Sequence, residues 1–199
     1  MKRLFAVFGV MLLFIACSSE PEKTPSPVAA EKTLLEELKE RTVKNPKDAE
    51  AWIHLADLYD RDAMYQEEIT ALNNVIGADP DKKSIYLNLA NTYSRLGRYQ
   101  DAIANYQKAI HSFPRNPVLY NNLGVAYGKI GEIDEEIGSL KKAISLRTRY
   151  ATARFNLGMA LLKKGSRDLA LQQYHELKTF DNGVAESLKK EIDAKGKQP

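Results

Sequence analysis

Apolar residues recur along this chain with a helical spacing, and the spacing itself repeats. Leu55, Leu89, Leu123 and Leu157 lie 34 residues apart, as do Tyr59, Tyr93, Tyr127 and Leu161. Small residues fall at Ala56, Ala90, Gly124 and Gly158, and turn residues at Ala63, Gly97, Gly131 and Gly165. Within each copy, the fourth, seventh, eighth and eleventh positions share one face at 3.6 residues per turn. The large members offer apolar area for burial, and the small one lets a second helix come close. The glycines suit a positive φ that ends a helix before a short turn, and Pro80 and Pro114 stop the second helices. The pattern predicts helix pairs over 49–62 and 65–78, 83–96 and 99–112, 117–130 and 133–146, and 151–164 and 167–179.

Four uninterrupted copies follow: 49–82, 83–116, 117–150 and 151–184. The second carries Tyr86, Leu89, Ala90, Tyr93, Gly97, Tyr99, Ala102, Tyr106, Ala109 and Pro114. This set resembles the tetratricopeptide repeat, whose period is 34. The resemblance implies an all-α fold, a right-handed superhelical solenoid of helix-turn-helix hairpins that binds other polypeptides. Residues 33–48, with Leu34, Leu35, Leu38 and Val43, read as one further helix in the register of a second repeat helix. Residues 185–199 read as a capping helix and tail; Val184, Leu188 and Ile192 give it one apolar face, and a polar outer face keeps such an array soluble.

Two positions depart from the pattern. The small residue of the second helix is Ala102 and Ala170 in two copies but Glu68 and Glu136 in the others. A glutamate there is expected to lean outward with its carboxylate in water, loosening the local packing. Arg154 stands where the fourth copy needs a large aromatic, with Phe155 beside it.

The N-terminus changes the setting. Lys2 and Arg3 precede 13 uncharged residues, 4–16. As a helix these reach about 20 Å, short of the roughly 30 Å hydrocarbon core, which suits a signal peptide rather than a membrane span. Ala16 before the single cysteine, Cys17, resembles a bacterial lipobox, although Phe14 replaces the usual leucine. That resemblance implies a lipoprotein, with a signal peptide over 1–16, acylation at Cys17 and anchorage to a membrane. Ser18, in place of a retention aspartate, implies the outer membrane, facing the periplasm. Residues 17–32, with three prolines and three serines, read as a disordered tether.

Composition adds constraint rather than chemistry. The chain has 199 residues, 28% of them charged, and a net charge of +3, too small to point to nucleic acid. His54, His111 and His175 lie in different repeats, without a second ligand at metal spacing. Gly124, Gly128 and Gly131 follow no strand, so they do not form a phosphate loop; Gly128, the extra one, thins the inner wall of the third copy. The sequence therefore predicts no enzyme, cofactor, metal or small-molecule substrate.

What remains is the concave face that the first helices line. Positions 2, 5, 9, 12 and 13 of each copy fall within about a 100° arc opposite the core. The candidate groove residues are Asp57, Asp60, Leu87, Asn91, Arg95, Asn121, Val125, Lys129, Phe155, Met159, Leu162 and Lys163. Charge by copy runs −6, +4, +1 and +2, so an extended peptide would place a basic end near Asp57 and Asp60 and an apolar anchor near Phe155, Met159 and Leu162. The cationic row Arg61, Arg95, Lys129 and Lys163 is read as favourable charge at helix C-termini. The carboxylate clamp of some relatives, a lysine at position 5, is not reproduced by Ile53, Leu87, Asn121 and Phe155. Asn88, Asn122 and Asn156 at position 6 are read as inter-helix hydrogen bonding. The expected function is a membrane-anchored scaffold or adaptor for protein or peptide partners. A structural subunit or pilotin-like assembly factor of an envelope, pilus or secretion complex is the alternative.

Overall fold

Four tight turns set the geometry of the computed structural model, which describes residues 27–195 and, from residue 33, their side chains. Gly97, Gly131 and Gly165 take φ of 72°, 87° and 83°, and Ala63 holds the same place at 56°. In this left-handed region a side chain costs about 1–2 kcal/mol, which glycine avoids. Each turn joins the two helices of one hairpin: α2 (Ala49–Arg61) to α3 (Tyr65–Ala78), α4 (Ile85–Arg95) to α5 (Tyr99–Ser112), α6 (Pro117–Ile130) to α7 (Ile133–Leu146), and α8 (Ala151–Lys163) to α9 (Arg167–Lys178). A helix precedes them, α1 (Pro27–Lys44), and another follows, α10 (Asn182–Lys195). Among the described residues there is no strand, and successive helices pack in chain order, so the fold is an all-α solenoid.

Side-chain caps start several of these helices. Asp48 accepts from the amide of Ala51 at 2.9 Å, Asn116 from Val118 at 3.0 Å ahead of Pro117, and Asp181 from Val184 at 3.1 Å. Each cap satisfies an amide that the helix itself leaves open, worth about 1 kcal/mol.

The core is a row of clusters strung along the array. One spans α1 to α4 around Leu38, Leu55, Leu72 and Leu89. The next joins α4 to α6 around Tyr106, Leu119 and Leu123. The last joins α7 to α10 around Leu140, Leu157, Leu177, Leu188 and Ile192. The small positions explain how close the helices lie. A Cβ on Gly124 would fall 2.9 Å from Leu140 Cγ and 3.1 Å from the backbone oxygen of Glu136; on Gly158 it would fall 2.6 and 2.7 Å from the Leu188 methyls.

The fourth position has a second task besides burial. Trp52 donates its indole N–H to the Pro46 carbonyl at 3.0 Å, and Tyr120 its hydroxyl to Pro114 at 3.1 Å. Arg154 donates Nε to Thr148 at 3.1 Å. All three reach the carbonyl six residues back, in the loop that joins repeats. Arg154 therefore keeps the staple while exchanging the ring for a guanidinium, which also reaches Gln173 Oε1 at 3.2 Å.

Four expectations are corrected. Helix α1 begins at Pro27, inside the stretch assigned to the tether; proline is tolerated in a first helical turn, and the residues after it are good helix formers. On α1 the buried side is Leu35, Leu38 and Thr42, which a shift of 34 lays on Ile69, Leu72 and Ile76. Leu34 is 42% and Val43 80% exposed, since they lie off that stripe. Glu68 and Glu136 do not lean outward: they are 5% and 4% exposed, and both carboxylates turn inward toward the first helices. Helix α10 starts at Asn182 rather than at 185, where the Asp181 cap sets it. The signal-peptide residues 1–16, Cys17 and the tether up to residue 26 lie outside the described residues.

Candidate binding groove

Stacking the hairpins brings the first helices α2, α4 and α6 side by side, and two depressions run across them. One, of about 240 Å³, is bounded by Asp57 and Asp60 of α2, Glu68 and Leu72 of α3, and Asn88, Asn91, Thr92 and Arg95 of α4. The other, of about 380 Å³, is bounded by Asn91, Ser94 and Arg95 of α4, Tyr106 of α5, and Asn122 and Val125 of α6. Asn91 and Arg95 border both, so the two form one trough over the first three repeats. Of the candidate groove residues, Asp57, Asp60, Asn91, Arg95 and Val125 lie along this trough.

The trough floor is held by an amide chain. Tyr106 donates its hydroxyl to Asn91 Oδ1 at 2.8 Å, and Asn122 donates to the same oxygen at 3.4 Å. Asn121 donates to Asn122 Oδ1 at 3.1 Å, and Asn156 to Asn121 Oδ1 at 3.0 Å. These bonds tie α4 to α6 and α6 to α8, as expected for Asn122 and Asn156. Burial pushes the Tyr106 phenol up to about 12, so it stays a neutral donor at physiological pH. Asn88, by contrast, is exposed at the trough rim.

Two cations of the inner face pair with carboxylates of the preceding repeat. Arg95 reaches Asp60, and Lys163 lies 3.2 Å from both carboxylate oxygens of Glu136. Helix C-terminal charge is thus only part of their role. Exposed pairs of this kind contribute about 0–1 kcal/mol, but the Glu136 carboxylate is buried and needs its partner more. Gly128 makes this pair possible. A Cβ there would sit 2.4–2.5 Å from the Glu136 carboxyl group, so the space that seemed to thin the wall is filled by the glutamate.

Glu68 is the counterpart with a different neighbourhood. Thr92 Oγ1 donates to its Oε1 at 2.7 Å, while its Oε2 is buried without a hydrogen-bond partner. Burial raises its pKa above the ordinary value of 4.5, against the Thr92 hydrogen bond that lowers it.

The apolar end of the face differs from expectation. Leu162 is only 6% exposed and belongs to the last core cluster, against which Phe155 and Met159 also pack. Helix α10 packs on α8, and the same cluster contains its Leu188 and Ile192. Asn121 is likewise buried, at 5% exposure, because two amides hold it. Leu87 is half-buried against the second cluster, and Lys129 is exposed. The sequence reading missed Glu68 and Thr92 as parts of this surface. The only signal was that glutamates replace alanine in alternate copies. Among the described residues, no group of three or more histidine, cysteine, aspartate or glutamate side chains could hold a metal ion.

Residues 91–131 match a TPR repeat family, and residues 49–82 and 118–150 match a tetratricopeptide repeat family. No curated protein sequence matches the chain. Among solved structures, a crystal structure of MamA protein aligns with a TM-score of 0.71 at 23% identity, over 85% of this chain and 88% of that one. MamA from Desulfovibrio magneticus RS-1, from residue 41 to its end, aligns at 0.69 and 17% identity, over 83% and 89%. YrrB, described as a TPR protein with an unusual peptide-binding site, aligns at 0.63 and 23% identity, over 82% and 88%. At these identities the likeness is one of fold. With the 34-residue period, the stacked hairpins and the family matches in agreement, the chain belongs to the tetratricopeptide-repeat proteins.

Proposed function

We propose that this chain is a non-enzymatic scaffold, anchored through a lipid on Cys17, that holds protein or peptide partners on its inner face in a bacterial cell envelope. The observation that supports the reading most is the open polar trough across α2, α4 and α6. A polypeptide offers a donor and an acceptor at each residue, and the trough presents amides, carboxylates and a guanidinium in matching variety. YrrB, of the same fold, is described as having a peptide-binding site. Residues 1–26 supply the anchor and part of the reach in this reading, with Ser18 favouring the outer membrane and the periplasmic side.

A photo-reactive residue at position 88 or 91 tests the trough directly. Adducts with polypeptides are expected from these positions in intact cells, and few from positions 104 and 141, which are exposed on the second helices α5 and α7. Adducts from 104 and 141 alone would instead make the chain a structural subunit that docks by its outer face. Cys17→Ser is expected to move the protein out of the membrane fraction; unchanged membrane attachment would end the lipid reading.

A further inference from the structure

The two halves of the array superpose in sequence by a shift of 68 residues. Glu68 then falls on Glu136, Arg95 on Lys163, Leu72 on Leu140 and Asp60 on Gly128. In the C-terminal half the buried carboxylate is filled: Lys163 brings an ammonium to 3.2 Å from both oxygens, through the space that Gly128 leaves open. In the N-terminal half that arrangement is not repeated. Asp60 takes the place of Gly128 and draws the Arg95 guanidinium to itself. Glu68, 5% exposed, keeps one oxygen on Thr92 and has the other buried without a partner.

Glu68 borders the pocket of about 240 Å³, room for a side-chain tip in place of several waters at roughly 30 Å³ each. Asp57, Asp60 and Glu68 line it against the single cation Arg95, so the pocket carries an excess of negative charge. Leu72 widens it, since the equivalent residue one repeat on is Tyr106, whose hydroxyl reaches Asn91.

We propose that this pocket receives a primary ammonium, the tip of a lysine side chain on the polypeptide held in the trough, with Glu68 Oε2 as its innermost acceptor. The inference rests on the trough being the binding face. Lys163 at Glu136 shows the geometry from within the same molecule. An ammonium carries its donors on one compact, freely turning nitrogen, whereas a planar guanidinium needs a flat, two-oxygen partner. With one Glu68 oxygen already held by Thr92, Glu68 offers one unpartnered oxygen rather than a free two-oxygen face.

The test is a titration of the isotope-labelled protein with Nα-acetyl-lysine methylamide, followed by amide chemical shifts. Matching titrations use the Nε-acetylated compound, Nα-acetyl-arginine methylamide and magnesium chloride. The lysine compound is expected to shift the amides of Asp57, Glu68, Asn88 and Thr92, and the Nε-acetylated one to leave them in place. Glu68→Gln is expected to weaken the response about tenfold, the effect of losing a hydrogen bond to a charged group. Asp57→Asn, an exposed change that leaves the core untouched, is expected to weaken it severalfold. Equal shifts from the arginine compound or from magnesium would overturn the ammonium assignment, as would a lysine response unchanged in both variants. Failure here with cross-links still forming at positions 88 and 91 would remove the pocket and leave the trough. Lysine binding without those cross-links would remove the trough as the partner site.

Discussion

The contact between Gly158 and Leu188 offers the most stringent test of how the array is closed. Leu188 is fully buried, and its two methyls would lie 2.6 and 2.7 Å from a Cβ on Gly158. Carbon atoms rest about 3.5–4.0 Å apart, so Gly158→Ala forces α10 away by about 1 Å or drives Leu188 from its rotamer. Overpacking of this size costs about 1–3 kcal/mol, against a gain of about 1 kcal/mol from replacing a helical glycine by alanine. The net expectation is a loss of about 0–2 kcal/mol. Leu188→Ala alone empties the same space and costs about 2–5 kcal/mol. In the double variant the new methyl enters the vacated room, so the combined loss falls short of the sum by about 1–3 kcal/mol. Urea denaturation followed by helical circular dichroism measures all four proteins. Strict additivity, or a gain of the full 1 kcal/mol from Gly158→Ala alone, would refute the close approach.

Three further outcomes follow from the same geometry. Lys163→Ala leaves the buried Glu136 carboxylate without its cation and is expected to cost about 1–3 kcal/mol in urea, while Glu136→Ala/Lys163→Ala recovers most of the loss, since Ala102 and Ala170 occupy that site in other repeats. Because burial raises the Glu68 pKa above 4.5, its protonated form is favoured on folding; this share of stability is present below that value and lost as pH rises through the raised one. The difference in unfolding free energy between wild type and Glu68→Gln should therefore change across that interval, and a flat difference would show Glu68 to be hydrated. Ala63→Gly relieves the one non-glycine residue among the described residues with positive φ, and is expected to gain up to about 1 kcal/mol, or 2–4 °C in thermal midpoint; a lower midpoint would contradict it.

Much of the architecture was legible because each hairpin solves the same problem with the same residues. Leu55, Leu89, Leu123 and Leu157 are all buried, and the helices end within two residues of the spacing's expectation. What periodicity could not convey was the direction of a long side chain on a small-residue position. A helical wheel puts Glu68 and Glu136 at the core, and solvation argues for an outward turn. The structure instead pairs them with residues 24 and 27 positions further on, Thr92 at one oxygen of Glu68 and Lys163 at Glu136, which no single-helix reasoning connects. Gly128 was a visible hint, a glycine without a turn. Leu162 failed for a similar reason: position 12 faces the groove in an internal repeat, but the last repeat meets α10 instead of a successor. Val43 lay off the stripe because a shift of 34 from Leu72 and Ile76 selects Leu38 and Thr42.

The alternation of Glu68, Ala102, Glu136 and Ala170 makes neighbouring joints unlike one another. Excising one hairpin, residues 83–116, would bring Glu68 to face Ala126 and Lys129 in place of Thr92 and Arg95. Excising two, residues 83–150, would bring it to Ala160 and Lys163, the partners that Glu136 already has, with Asp60 standing where Glu136 has Gly128. For shortening or lengthening this array with the least change at the glutamate joints, the module to count in is therefore the pair of repeats.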